Sequence, residues 1–380
     1  MKSRIILSTV VLVCLGTMLL GQSQRRRLNP MIELLEQKKP IFGVSAPSNP
    51  RAFPGGGGAP RGEAAPETRA AAPAGPDACG IVPAPPSAGG GAGRGPGGGG
   101  AARGGRGGGR GPGGGATAEP PVMRTPSELA KLALDYKRTD YLYNGSMEGG
   151  VDNQIAAFTD FMKAMMENGA LVKTPYPHFT HPVVLKTPKI SENPAKAVEN
   201  ISKQLNTGVS TLMFVEVDCA KEAQIGLNAM RFKSKGGTRP DQAGMAPAYW
   251  GMTETQYKQK ADVWPLNPEG ELVNWSIVET REGLERVREI AAVKGIGVLW
   301  PGAGTLRSVL ANDPDPQAHE KAIQKVLAAC KEFNIACGYP ANADDIEMRM
   351  KQGFSVFVIQ NFGEAGFKDV EVGKKAAGRW

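Results

Sequence analysis

Apolar residues recur along this chain in two alternating rhythms. Short runs rich in β-branched and aromatic side chains alternate with longer stretches whose apolar positions fall at helical spacing. The short runs lie at 41–45, 141–144, 182–186, 211–215, 272–278, 296–300, 335–339 and 355–359 and predict eight strands. Helices are predicted at 126–137, 153–168, 195–207, 220–230, 283–292, within 316–333 and at 343–352, with a short one at 29–39 ahead of the first strand. Asn29 caps that first helix and Pro30 suits its first turn. A longer loop carrying Tyr249, Trp250, Tyr257 and Trp264 precedes the fifth strand.

Strands that alternate with helices build right-handed βαβ units and a parallel sheet. Eight such units predict a closed (β/α)8 TIM barrel. An open doubly wound sheet is the alternative, but no Gly-rich fingerprint follows an early strand.

Composition changes the picture in one region. The chain of 380 residues has 50 Gly and 30 Pro, and about half of the Gly falls between Gly55 and Gly115. Residues 51–119 hold too few apolar side chains to offset the entropy of ordering them and are expected to be a disordered insertion after the first strand. The barrel is then 28–50 joined to 120–380. Much of the net charge of +8 comes from Arg25, Arg26, Arg27 and the arginines of the insertion. Those arginines are arranged as in RGG segments that bind RNA, but their aromatic companions are missing, so no nucleic-acid partner is expected.

Lys2 and Arg4 followed by the apolar run 5–20 read as an export signal, with 21–23 offering small residues for cleavage. Residues 1–23 are thus a signal peptide or, if uncleaved, an N-terminal anchor and the one membrane contact. The protein is expected to be exported, periplasmic or secreted. Outside that segment are Cys79, Cys219, Cys330 and Cys337, with no CxxC or zinc spacing. Oxidation could join a pair that the sequence does not choose, and Cys219 and Cys330 read as small buried hydrophobes.

A barrel carries its chemistry at the carboxyl ends of its strands. That rule selects Glu148, Lys186, Glu216, Glu279, the 301–305 turn, Asn342 and Asn361. Carboxylates suit hard divalent cations. A lysine there holds an anionic substrate or forms a Schiff base. Strand-end polar residues also face solvent without function. Glu279 stands out because the apolar strand Trp275-Ser276-Ile277-Val278 delivers it directly to the rim. His178 and His181 fall before the third strand, on the opposite face, and His319 is expected to be exposed near a helix start.

Several segments resemble the HpcH/HpaI aldolase (citrate lyase β) family. Ile277 to Gly283 resembles its IETREG segment, followed by Ile290 to Ile296. Val326 to Lys331 through Cys337-Gly338, and Gln352 to Phe357, also match. Leu205 to Ala223 and Asp140 to Asp152 resemble upstream segments. The resemblance implies a carbon–carbon lyase of the metal-dependent class II aldolase type, acting on a small pyruvate-like 2-oxo acid adduct, with Mg²⁺ or Mn²⁺ as Lewis acid. It also implies a homo-oligomer.

Residue by residue, Glu279 keeps the family's metal-binding Glu. The family's Asp ligand falls on Gly304 or Thr305, in a turn whose Gly302 and Ala303 would bind substrate. The family's His falls on Glu148 and its Arg on Lys186, so Glu148 and Lys186 are the expected catalytic pair and Lys186 also binds substrate. Glu216, on the neighbouring strand end, is the expected second metal ligand. A barrel that only binds a carboxylate ligand, and a Schiff-base enzyme using Lys186, are the alternatives.

Overall fold

The computed structural model describes residues 26–49, 79–80 and 123–380. The predicted export signal, the RGG-like arginines and nearly all of the Gly-rich insertion lie outside the described residues.

Eight parallel strands form the sheet: β1 (Ile41–Ser45), β2 (Tyr141–Asn144), β3 (Val183–Thr187), β4 (Thr211–Phe214), β5 (Leu272–Val278), β6 (Ile296–Pro301), β7 (Ala336–Pro340) and β8 (Val356–Ile359). Each pairs with its neighbours in chain order, and β8 pairs with β1, so the sheet closes into a (β/α)8 barrel. The register between β1 and β8 runs Ile41 with Val356 to Val44 with Ile359. Strand and helix bounds agree with the predicted ones to within a few residues. The predicted helix 283–292 is broken into Arg281–Glu285 and Val287–Ala291.

Side-chain alternation divides the strands' residues between two cores. Tyr141, Val184, Met213, Val273, Trp275, Val298, Trp300, Val356 and Val358 fill the barrel interior. Their outward-facing neighbours pack under the helices. The interior holds large aromatics: Trp275 and Trp300 stack at 5.7 Å, and Tyr141 meets Trp275 edge-on at 5.1 Å. Glycines on neighbouring strands make the space. A Cβ on Gly338 would come within 1.7 Å of the Trp300 ring. The helix Pro30–Glu36 closes the amino-terminal end, its buried Met31 and Ile32 joining the interior core.

The stretch predicted as a loop before β5 is structured. It holds the helices Ala246–Tyr249 and Glu254–Lys260, and Val263–Trp264 adds a short strand beside β5. Tyr249, Trp250 and Tyr257 are buried. Burial explains the aromatic run: Trp250 donates to the Gly208 carbonyl at 2.8 Å and packs edge-on against Tyr257.

Cys79 and Cys219 form a disulfide, which corrects the reading of Cys219 as a free buried hydrophobe. Cys330 and Cys337 are free and buried. His319 is half-buried, not exposed: its Nε2 lies 2.7 Å from the Ala303 carbonyl. The rings of His178 and His181 are each engaged with their own neighbours, His181 contacting the Tyr136 carbonyl and the Thr180 hydroxyl.

Candidate active site

The period of two that fills the interior also selects what stands at its carboxyl end. Tyr141 points inward on β2, so Tyr143 does too. Val184 points inward on β3, so Lys186 follows it. Trp275 and Ile277 point inward on β5, and Glu279 is the next inward position. Tyr143, Lys186 and Glu279 therefore form one charged layer above the apolar interior.

The Lys186 ammonium donates to the Glu148 carboxylate at 2.8 Å. Lys186 is 14% exposed and Glu148, on the turn after β2, 43% exposed. Tyr143 neighbours Lys186 on this inward face. Burial alone would lower the pKa of Lys186, but Tyr143, Glu148 and Glu279 together hold it above its usual range. The ammonium stays protonated, which suits charge stabilisation and not nucleophilic attack.

Glu279 is 3% exposed. Its Oε1 accepts from the Glu216 backbone N–H at 3.0 Å, and Thr305 lies near enough to favour its charged form. Burial raises its pKa; Lys186, Thr305 and the Glu216 N–H oppose the rise, and Glu148 adds to it. Gly302 lies directly against it. A Cβ there would approach Glu279 Oε2 to 2.5 Å, so glycine is what admits the carboxyl.

The expected turn is the start of the helix Ala303–Val309, and of its two candidate positions Thr305 is the one that lowers the Glu279 pKa. The other turn residues predicted to bind substrate are engaged with the protein itself. Gly302 N–H donates to the Val278 carbonyl, and its own carbonyl accepts from Leu306. Ala303 is buried and its carbonyl contacts His319.

Glu216 adopts a left-handed backbone, φ 49°. Its N–H is thereby aimed at Glu279 while its carboxylate lies 3.5 Å from Lys189. Lys189 donates to Asp218 at 2.6 Å, and Asp218 accepts from the Thr280 hydroxyl. Glu222 accepts from the Ser191 and Asp218 N–H groups, and burial pushes its carboxyl up to about 7. The Cys79–Cys219 bridge lies beside this second cluster, with Cys79 Sγ 4.0 Å from Glu222.

Tyr143, Lys189, Asp218 and Glu222 were not among the residues predicted from sequence. Tyr143 was legible, because inward-facing alternation from Tyr141 leads to it.

The two expected metal ligands do not converge. The Glu279 carboxyl accepts from the Glu216 N–H, its neighbouring cation is Lys186, and the Glu216 carboxylate is turned to Lys189. Among the described residues no group of three or more His, Cys, Asp or Glu side chains gathers as a metal site. As arranged, this donor set does not fit a divalent cation, which takes several oxygen ligands to offset its dehydration.

A cleft of about 810 Å³ lies elsewhere. It is lined by Leu35, Trp264, Ile296, Phe333 and Ala336, on the amino-terminal face, and includes none of the charged layer. Chemistry on a barrel belongs to the other end.

Fold and site together define a (β/α)8-barrel protein with a lysine–carboxylate layer at its catalytic face. The chain belongs to the HpcH/HpaI aldolase/citrate lyase family, whose profile matches residues 168–357. The resembling segment at 140–152, which includes Glu148, precedes the matched residues. A hydroxypyruvate/pyruvate aldolase from Paraburkholderia phytofirmans is 26% identical over 143 residues, 36% of this chain and 52% of that one. The chain thus spans about half the length of this curated relative. An HpcH/HpaI family structure from Burkholderia cenocepacia J2315 is 23% identical, covers 62% of this chain and 82% of that one, and has a TM-score of 0.47. The citrate lyase β subunit of M. tuberculosis, solved with oxaloacetate and magnesium, is 14% identical over 66% of this chain and 92% of that one, TM-score 0.38.

Proposed function

We propose that this protein is a carbon–carbon lyase of the aldolase type that cleaves or forms an adduct of a small, pyruvate-like 2-oxo acid. The observation that carries the reading is the ion pair of the partly buried Lys186 with Glu148, with Glu279 acting on the same ammonium, at the carboxyl end of the barrel in a chain of this family.

Each residue then has a task. Glu148, the most exposed of the three, takes the proton from the C4 hydroxyl of a 4-hydroxy-2-oxo acid. The C3–C4 bond breaks, the aldehyde leaves, and the electron pair moves into an enolate whose charge settles on the C2 oxygen. Lys186 stands where that charge develops and stabilises it as a fixed, partly desolvated cation. Glu279, bonded to the Glu216 N–H, positions the ammonium from below.

The relatives' chemistry would give a divalent cation the enolate-stabilising role. The arrangement of Glu279 and Glu216 does not support a bound metal, so no step is assigned to one. The Schiff-base alternative is disfavoured by the raised pKa of Lys186.

We also read the protein as exported. The Cys79–Cys219 bridge supports this, because such bonds persist in oxidising compartments.

A calorimetric titration with pyruvate tests the site. Binding is expected in the wild type and lost in Lys186→Met. Equal binding by the variant would refute the role of Lys186.

A further inference from the structure

Cleavage leaves an enolate that needs a proton at C3, and none of the groups discussed so far supplies it. Glu148 has taken the hydroxyl proton at the outer edge of the site, and Lys186 serves as the standing positive charge. One ionisable group of the charged layer has no task. Tyr143 is partly buried on the inward face of β2, directly above Tyr141 and beside Lys186.

The surroundings of Tyr143 suit proton delivery. Gly145 keeps the space beside the ring open: a Cβ there would lie only 3.3 Å from the Tyr143 hydroxyl oxygen. Tyr141, two residues earlier on the same face, makes a useful contrast. Its hydroxyl is spent on the Phe357 carbonyl inside the barrel, where it is fully buried. Burial raises the Tyr143 pKa and Lys186 opposes the rise, so the phenol is protonated at neutral pH and the phenolate is stabilised when it forms.

We propose that Tyr143 is a catalytic residue, the proton donor to C3 of the enolate, with Lys186 holding the resulting phenolate. This rests on the lyase reading above. The step balances: the O–H bond of Tyr143 breaks, a C3–H bond forms from the enolate π electrons, and the C2 carbonyl is restored. The phenolate regains a proton from Glu148, which carries the one taken from the substrate, or from water. Run in reverse, Tyr143 phenolate removes a C3 proton from pyruvate.

Deuterium exchange of the pyruvate methyl group in D2O, followed by proton NMR, tests this directly. The wild type is expected to exchange these hydrogens. Tyr143→Phe is expected to lose about 100-fold or more in exchange rate, the usual worth of a positioned proton carrier, while pyruvate binding by calorimetry is retained. A purely structural role would move both together.

Tyr143→His covers the case in which the Phe variant does not fold. It keeps a titratable proton, and its exchange profile should shift toward imidazole pH. Wild-type exchange in Tyr143→Phe, or an unshifted profile in Tyr143→His, overturns the assignment and leaves the lyase reading standing. A wild type that neither exchanges pyruvate nor splits any 4-hydroxy-2-oxo acid overturns both.

Discussion

Lys186 and Glu148 meet across 2.8 Å, although they come from different strand ends of the barrel. Lys186 is on the inward face of β3 and Glu148 on the turn after β2. The pair joins a buried cation to a carboxylate open to solvent, which is the order in which a substrate entering the mouth would meet them. Removing the cation strands Glu279 in a buried site without its compensating charge. Lys186→Met should therefore lower pyruvate release by about 100-fold or more, the scale of losing one electrostatic stabiliser. Lys186→Arg should recover only part of it, because the fork is larger and differently directed. Steady-state rates of the two variants check this.

Thr305 stands where a second carboxylate would complete a cation site beside Glu279. Thr305→Asp is expected to tighten Mn²⁺ binding at least tenfold over wild type in a calorimetric titration. The physical reason is that added charge offsets dehydration of the ion. Unchanged Mn²⁺ affinity would show that Thr305 does not face the cation position.

Glu222 gives a stability signature with a definite sign. Its folded pKa, about 7, lies above the usual carboxyl value of 4.5. The folded state therefore holds the proton more tightly than the unfolded chain. Its contribution is full below pH 4.5 and is lost as pH rises toward 7. The size is of order 2–3 kcal/mol, since one pKa unit is worth about 1.4 kcal/mol. Glu271, also raised to about 7 by burial, acts in the same direction. Thermal melts of the wild type should fall between pH 5 and pH 8. Glu222→Gln should melt lower throughout, because its amide meets one of the two N–H groups now bonded to the carboxyl, but with a flatter pH slope.

The Cys79–Cys219 bridge closes 140 residues of chain. Cross-linking a loop of that length restricts the unfolded chain, and its removal should cost about 2–5 kcal/mol. Reduction, or Cys219→Ser, should lower the melting temperature by several degrees. Peptide mapping without reductant should find the two cysteines linked.

The barrel was legible because eight apolar strands at regular spacing leave few other arrangements, and the strand-end rule then selected Glu148, Lys186 and Glu279. The aromatic stretch before β5 misled because Trp and Tyr between prolines and glycines look like a loop. Only tertiary burial against Gly208 and Phe179 shows why they are there. The direction of the Glu216 carboxylate was not legible. Its left-handed backbone turns the carboxylate toward Lys189, and backbone handedness at a non-glycine residue has no sequence signal. The partner of Cys219 was hidden for a related reason. Nothing in the sequence selects a partner for Cys219 that lies 140 residues away.

The most direct test of the account is pyruvate release from a panel of 4-hydroxy-2-oxo acids, by wild type, Glu279→Gln and Lys186→Met, with and without added Mg²⁺ or Mn²⁺. The account predicts that the wild type releases pyruvate and aldehyde in equal amounts and that both variants lose this activity. No release by the wild type from any member of the panel under any of these conditions, or undiminished release by either variant, would contradict it.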